Sequence, residues 1–202
     1  MPLIAILRGI SPENVLKVSE VLIKQGFTSI EVPLNSPDAL ASIEILVNEY
    51  GDKYLIGAGT VTTPELAKTV INTGANLIVS PNVNSEVIAL SIKAGCECYP
   101  GVVTPTEAFT ALELGATGLK LFPISMLGID GFVALKSVLP SDTKCYPVGG
   151  INASVESMHP YLKAGAAGFG LGSALFTPCS TLAQIALNAK AFVDTYKRFN
   201  RE

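Results

Sequence analysis

The chain has 202 residues, of which 49% are hydrophobic and only 15% charged, with a formal net charge of −3. This composition excludes intrinsic disorder, and the acidic balance argues against a nucleic-acid-binding surface. A single histidine, His159, excludes a multi-histidine zinc site, and we expect this residue at the surface. So few charges predict that some apolar surface is covered in an oligomer.

Cysteine usage and the N-terminal residues predict a cytoplasmic protein without a membrane span. The apolar N-terminal run has no basic segment before it, so no signal peptide is expected. Residues 164–189 carry no charge, but glycines and a proline interrupt them, which favours a strand, a glycine loop and a helix. Four cysteines without a CxxC pair are predicted to be reduced core thiols: Cys96, Cys98, Cys145 and Cys179.

Helix boundaries recur along the whole chain. Predicted helix starts have a capping hydroxyl followed by proline: Ser11-Pro12, Ser36-Pro37, Thr63-Pro64 and Thr104-Pro105. Glycines at which a left-handed residue would end a helix follow about every 20–25 residues, with one double interval at the end: Gly26, Gly51, Gly74, Gly95, Gly115 and Gly165. A final helix is predicted from about Leu182 to Tyr196.

Short apolar runs between these helices predict eight strands: Leu3–Arg8, Ser29–Pro33, Leu55–Thr60, Leu77–Ser80, Glu97–Pro100, Leu119–Phe122, Cys145–Val148 and Gly168–Leu171. Eight strand–helix units fill residues 1–202 without a linker, which predicts an α/β protein with a single-domain (β/α)8 TIM barrel. The alternative is an open doubly wound sheet, but it requires a chain reversal that nothing in the repeat marks.

Two charged residues lie inside predicted apolar strands. Lys120 lies between Leu119 and Leu121, and Glu31 lies between Ile30 and Val32. Because side chains alternate along a strand, the apolar neighbours suit the helix layer and both charges should point into the barrel. The second and sixth strands contribute to the same interior layer, so the two side chains are expected to meet or to share a ligand.

The surroundings of Lys120 favour imine chemistry. A histidine-rich metal site for carbon–carbon cleavage cannot be built, and the other electron sink is a protonated imine between a lysine and a ketone. Burial lowers the pKa of an amine and so favours its nucleophilic form, whereas an ionised Glu31 opposes that shift. We predict that Glu31 moves protons. The alternative is a buried ion pair that only holds the fold together.

Small residues after the last two strands predict a phosphate site. Gly149 and Gly150 follow the seventh strand, and Gly172 and Ser173 follow the eighth. In many barrels the backbone N–H groups of these two loops bind phosphate, and Ser173 adds a hydroxyl. The sequence therefore predicts a phosphorylated small-molecule substrate.

Four motifs in order along the chain resemble the 2-keto-3-deoxy-6-phosphogluconate and -phosphogalactonate aldolases: Ile30-Glu31-Val32, Gly57-Ala58-Gly59-Thr60, Lys120-Leu121-Phe122-Pro123 and Gly149-Gly150-Ile151. The resemblance covers almost the whole chain. It implies a metal-independent class I aldolase on a trimeric barrel, with no cofactor and with pyruvate and glyceraldehyde 3-phosphate as products. No nucleic-acid or membrane partner is implied.

The resemblance also implies roles for individual residues. Lys120 matches the imine-forming lysine and Glu31 the acid/base. Arg8 and Thr60 match residues at the keto-acid end of the substrate, although a guanidinium suits a carboxylate and a phosphate equally. The residues that match the phosphate loops are Gly149, Gly150, Gly172 and Ser173.

Two departures from the gluconate enzymes favour the galactonate branch. Asn35 stands where the gluconate enzymes have arginine, and Val148 stands where they have threonine. The two substrates differ at one hydroxyl-bearing carbon, so the loss of a hydroxyl donor is a plausible discriminator. The predicted substrate is therefore 2-dehydro-3-deoxy-6-phosphogalactonate, with the gluconate epimer as the alternative.

Two other functions on the same barrel are open at this point. A phosphate-binding isomerase or epimerase is one, although the metal-dependent kinds need more histidines or carboxylates at strand ends than the chain has. The other is a non-catalytic sensor of a phosphorylated ligand, which predicts stabilisation by the ligand without turnover.

Overall fold

The computed structural model describes residues 1–199, which form an α/β fold of parallel strands and eight helices. The strands are β1 (Leu3–Ile6), β2 (Ser29–Pro33), β3 (Leu55–Gly59), β4 (Leu77–Val79), β5 (Glu97–Tyr99), β6 (Gly101–Val102), β7 (Leu119–Leu121), β8 (Cys145–Pro147) and β9 (Phe169–Leu171). The helices are α1 (Pro12–Lys24), α2 (Ala39–Tyr50), α3 (Pro64–Asn72), α4 (Ser85–Lys93), α5 (Pro105–Glu113), α6 (Ile124–Val138), α7 (Val155–Lys163) and α8 (Leu182–Phe199).

Six strands form a curled parallel sheet in the order β5-β4-β3-β2-β1-β9, and three form a second sheet in the order β6-β7-β8. The predicted fifth strand, Glu97–Pro100, ends at Tyr99, and β6 follows after Pro100, whose nitrogen has no hydrogen for the ladder. Its carbonyl still accepts a bond from the Lys120 N–H at 2.9 Å. A parallel bridge pairs Val148 with Gly170. The order runs from β1 to β5 without a reversal, which contradicts the doubly wound alternative.

Most helix boundaries follow the predicted local signals. Thr104 caps α5 and exchanges hydrogen bonds with Glu107, so the predicted capping box is present. Glycines with positive φ end the helices at most of the predicted stops: Gly26, Gly74, Gly95, Gly115 and Gly165. These boundaries depend on contacts within about one helical turn, which explains why the local sequence predicts them.

Two predicted boundaries are wrong. The helix start at Ser36-Pro37 is displaced, because α2 begins at Ala39. The Ser36 hydroxyl instead accepts a bond from the Gly9 N–H at 2.9 Å, so a contact between two loops has taken the capping oxygen. Gly51 has a φ of −58°, and the chain continues through another turn in which Tyr54 bonds back to Tyr50.

The core has two layers, one on each side of the strands. Ile30, Val32, Leu119 and Leu121 belong to the large cluster between strands and helices, as the alternation predicts. A smaller cluster lies on the opposite face of the strands: Ile4, Leu77, Val79, Tyr99 and Tyr146. Glu31 and Lys120 alternate with members of the large cluster, so their side chains lie on the inner face.

The structure corrects two further expectations. His159 is 4% exposed rather than superficial, because α8 covers it: Nε2 lies 3.2 Å from the Thr195 carbonyl and the ring packs edge-on against Phe199. Cys179 is exposed, in the loop before α8, whereas the other three cysteines are buried as predicted. Within residues 1–199, no helix has both the length and the apolar character needed to cross a bilayer.

Candidate active site

Glu31 lies in β2 with its side chain packed against β3. Gly59 provides the space, because a Cβ at position 59 would lie 1.8 Å from Oε2 of Glu31. The glutamate is 1% exposed, and Oε2 has no hydrogen-bond partner among the described residues. Burial raises the pKa of Glu31 to about 7, although the positive charges of Lys120 and Arg8 lower it. The carboxyl group can therefore exchange a proton near neutral pH.

Lys120 lies in the middle of β7 and is 6% exposed. Its Nζ lies over the ring of Phe122, 4.7 Å from the centroid. Burial lowers the pKa of this amine from its ordinary value of 10.5, against the effect of Glu31, and the charge of Arg8 lowers it further. Lys120 and Glu31 interact through their charges but form no ion pair within 4.0 Å. This geometry does not support a purely structural salt bridge.

Arg8 follows β1 rather than ending it, since the strand stops at Ile6. Its side chain is exposed, and Nη1 donates a hydrogen bond to Oδ1 of Asn35 at 2.5 Å. The charge of the guanidinium lowers the pKa of both Glu31 and Lys120, so Arg8 adds positive charge to the site that contains them.

Thr60 follows the last residue of β3 and has a φ of +62°. A β-branched residue in the left-handed region is uncommon, and such strain is concentrated at functional sites. The strand before it ends beside Glu31, because its last residue is Gly59. Thr60 is thus adjacent in the chain to the residue that makes room for the carboxyl group.

A cavity of about 310 Å³ opens beside Lys120. Several predicted site residues line it together: Arg8, Lys120, Val148, Gly149, Gly150, Gly172 and Ser173. Glu31, Thr60 and Asn35 are not among the lining residues. The absence of a side chain at Gly170 leaves room for the Val148 side chain, since a Cβ at position 170 would lie 2.6 Å from Cγ2 of Val148. The amine and the two glycine loops therefore share one concave site.

The backbone of the two glycine loops suits an anion. Gly149 and Gly150 have φ values of +94° and +83°, a conformation that residues with a side chain rarely adopt. Within residues 1–199, the backbone N–H groups of Gly150, Ser173 and Ala174 form no hydrogen bond to a protein acceptor. Unpartnered N–H groups at a cavity are the donors that phosphate oxygens accept from.

The model of the aldolase family described as KDPG and KHG aldolase matches residues 1–189. The chain belongs to this family. As a KDPG and KHG aldolase, the protein is a class I aldolase, a lyase acting on carbon–carbon bonds. The buried lysine described above agrees with that chemistry.

The aldolase is similar to named relatives over nearly its whole length. It is 47% identical over 197 residues to the 2-dehydro-3-deoxy-6-phosphogalactonate aldolase of Escherichia coli (strain K12), covering 98% of this chain and 95% of the relative. A solved native KDPGal structure superposes with a TM-score of 0.97 at 46% identity, covering 100% of this chain and 97% of that one.

A more distant solved structure is the KDPG aldolase of Legionella pneumophila with pyruvate captured as a covalent carbinolamine intermediate. It superposes with a TM-score of 0.80 at 30% identity, covering 96% of this chain and 91% of that one. The aldolase thus shares its fold with a relative that was captured in a covalent intermediate with pyruvate.

The cavity is also lined by residues outside the site that the sequence predicts. Its other lining residues are Ile6, Phe122, Ile151, Asn152, Gly170 and Ala174. Alternation along β7 places Phe122 on the same face as Lys120, so its position was available from the sequence. Asn152 follows the Gly149-Gly150 turn, but only the path of the folded loop brings it to the cavity.

Proposed function

We propose that this aldolase cleaves 2-dehydro-3-deoxy-6-phosphogalactonate to pyruvate and D-glyceraldehyde 3-phosphate. The observation that carries the proposal is the buried Lys120 amine in a cavity that is also lined by two glycine loops with unpartnered N–H groups. A substrate with a ketone at one end and a phosphate at the other matches this layout. The name of the 47% identical relative supports the same substrate.

We assign Lys120 as the nucleophile. Its neutral amine attacks the C2 carbonyl, and loss of water yields a protonated imine. When the C3–C4 bond breaks, its electron pair moves towards the imine nitrogen and leaves an enamine, while the C4 hydroxyl loses its proton and becomes the aldehyde. Protonation of the enamine at C3 and hydrolysis of the imine release pyruvate and the free lysine.

We assign Glu31 as the group that moves protons in these steps. A carboxyl group with a pKa of about 7 exists in both forms at neutral pH, which is the condition for acting first as a base and then as an acid. Its unpartnered Oε2 is able to accept a hydrogen bond from a hydroxyl or a water.

We assign the two ends of the substrate to different residues. Arg8 and Thr60 are assigned to the keto-acid end, as the resemblance of the motifs implies, and the guanidinium lines the cavity with Lys120, where it can bind an anionic group. The residues assigned to the phosphate are Gly149, Gly150, Gly172 and Ser173.

Val148 and Asn35 are the residues that we assign to discrimination between the epimers. Val148 lines the cavity with an apolar side chain and offers no hydrogen bond to a substrate hydroxyl. Asn35 does not line the cavity, and its proposed influence passes through Arg8, to which it is hydrogen-bonded.

The proposal includes the assembly. We infer one domain over residues 1–202 in which the two sheets close into a (β/α)8 barrel, supported by the Val148–Gly170 bridge and by the short link through Pro100. We further propose a homotrimer in the cytoplasm that acts on a phosphorylated 2-keto-3-deoxy sugar acid without a metal or cofactor and without a nucleic-acid or membrane partner.

Trapping with borohydride tests the nucleophile. Incubation with pyruvate and borohydride is expected to add one reduced pyruvate adduct at Lys120, located by peptide mass spectrometry. Lys120→Arg retains the positive charge and is the matched control, which should form no adduct and lose turnover. An adduct at a different lysine would contradict the assignment.

Side-by-side kinetics test the substrate. The pyruvate released from the galactonate and gluconate epimers is measured in a coupled assay, and a higher kcat/KM is expected for the galactonate. A clear preference for the gluconate epimer would instead favour a 2-dehydro-3-deoxy-6-phosphogluconate aldolase. Ligand stabilisation without pyruvate release would favour a sensor.

A further inference from the structure

The turn after β2 is fastened to the segment after β1 by two hydrogen bonds. Arg8 donates from Nη1 to Oδ1 of Asn35 at 2.5 Å, and the Gly9 N–H donates to Oγ of Ser36 at 2.9 Å. Ser36 is buried, although Arg8 and Asn35 are exposed. The second bond thus holds the two backbones together, and the first holds the guanidinium.

The turn itself is anchored on both sides. The Ser36 N–H donates to the Pro33 carbonyl at 2.8 Å, and the Leu34 N–H donates to the Gly59 carbonyl at 2.9 Å. Asn35 lies between these two bonded residues, so its backbone is held at the ends of β2 and β3. A side chain on so fixed a turn is suited to orient a flexible partner.

We propose that Asn35 is a positioning residue of this aldolase, whose carboxamide oxygen holds the Arg8 guanidinium at the cavity that contains Lys120. The inference rests on the proposed function, in which Arg8 binds an anionic group of the substrate. An amide is the suitable acceptor because it is neutral. It occupies one of the five N–H donors of the guanidinium and leaves the charge unpaired for the substrate, whereas a carboxylate would form an ion pair.

The position of Arg8 also affects the reacting groups. The charged groups that act on Glu31 are Lys120 and Arg8, and those that act on Lys120 are Glu31 and Arg8. In both residues the charge of Arg8 lowers the pKa. A carboxylate at position 35 would cancel that charge in part, so the pKa values of Glu31 and Lys120 would both rise.

A double-mutant cycle tests the contact. Asn35→Ala is expected to raise KM for the sugar-acid phosphate about tenfold, the effect of one charge-assisted hydrogen bond, with a change in kcat of less than about threefold. In an Arg8→Ala background the same substitution should change KM less than about twofold, because the partner is gone. Asn48→Ala, at an exposed position of α2, is the matched control and should leave KM unchanged.

A second variant tests the role of Asn35 through the pH profile of kcat/KM, which would not change if the residue were purely structural. Asn35→Asp, which is nearly isosteric, is expected to shift the pH profile of kcat/KM to higher pH and to raise KM. Additive effects of Asn35→Ala and Arg8→Ala, or an unchanged pH profile in Asn35→Asp, would overturn the inference. Turnover by the wild-type chain tests the proposed function separately, so failure of the cycle in an active enzyme counts against Asn35 alone.

Discussion

The Glu31 carboxyl group is the clearest case in which a single residue departs from what packing alone would favour. A hydrophobic residue in the middle of β2 would be buried at a lower cost in free energy, because a buried carboxylate loses its hydration and Oε2 gains no hydrogen bond here. The loss of hydration raises the pKa of Glu31, so the folded protein favours the neutral acid up to about pH 7. This property is useful for proton transfer and unfavourable for stability at neutral pH.

The pH dependence of stability measures this effect. An unfolded glutamate ionises near pH 4.5, whereas folded Glu31 ionises near pH 7. The free energy of unfolding should therefore fall as pH rises between these values, by about 3 kcal/mol for Glu31 alone. Glu31→Gln should lack this fall, so its stability advantage over the wild type should grow with pH.

Urea denaturation at a series of pH values provides the measurement. Glu44→Gln, at an exposed position of α2, is the control and should follow the wild type. Parallel pH curves for Glu31→Gln and the wild type would show that the carboxyl group titrates normally in the folded protein.

At the scale of the element, two glycines of β3 leave space for groups on the two neighbouring strands, β4 and β2. A Cβ at Gly57 would lie 1.8 Å from the Leu77 carbonyl oxygen, so this glycine permits close backbone approach of β4. A Cβ at Gly59 would instead meet the Glu31 side chain. The first clash is with backbone that cannot move, and the second is with a side chain that can. The two glycines are therefore expected to respond differently to the same substitution.

Gly59→Ala is expected to displace the Glu31 carboxyl group and to lower kcat by about tenfold or more, while the protein remains folded. Gly57→Ala places the same methyl group against backbone, and we expect it to destabilise the fold by about 3 kcal/mol, the upper end of the range found for core overpacking. Circular dichroism melts and the pyruvate assay separate these outcomes. Full activity in Gly59→Ala would contradict the role of that space.

At the scale of the whole molecule, the surface carries exposed apolar side chains, as the low charge content of the chain predicts. Large apolar side chains on the part of α6 after Gly128 are exposed, with Val133 at 48% and Val138 at 54%, and Met126, before the break in the helix at Gly128, is 77% exposed. An isolated apolar residue at a surface is ordinary, but several on one helix suggest a covered face. This placement supports the proposed trimer.

Sedimentation equilibrium measures the assembly. The expected mass is that of three chains of 21.1 kDa, or about 63 kDa. Val133→Lys should weaken association, because an unpaired charge in an interface is costly to bury, and Glu44→Lys is the control. A monomer mass for the wild type would contradict the trimer.

The local sequence alone determined the positions of the strands, most helix ends, and the inner-face placement of Glu31 and Lys120. These features depend on side-chain alternation and on contacts within a turn or two, which the order of residues already specifies. The tertiary structure decided what depends on distant partners: the Ser36 hydroxyl bonded to Gly9, His159 covered by α8, and Asn35 bonded to Arg8. Each of these contacts joins residues far apart in the chain, so no local pattern encodes it.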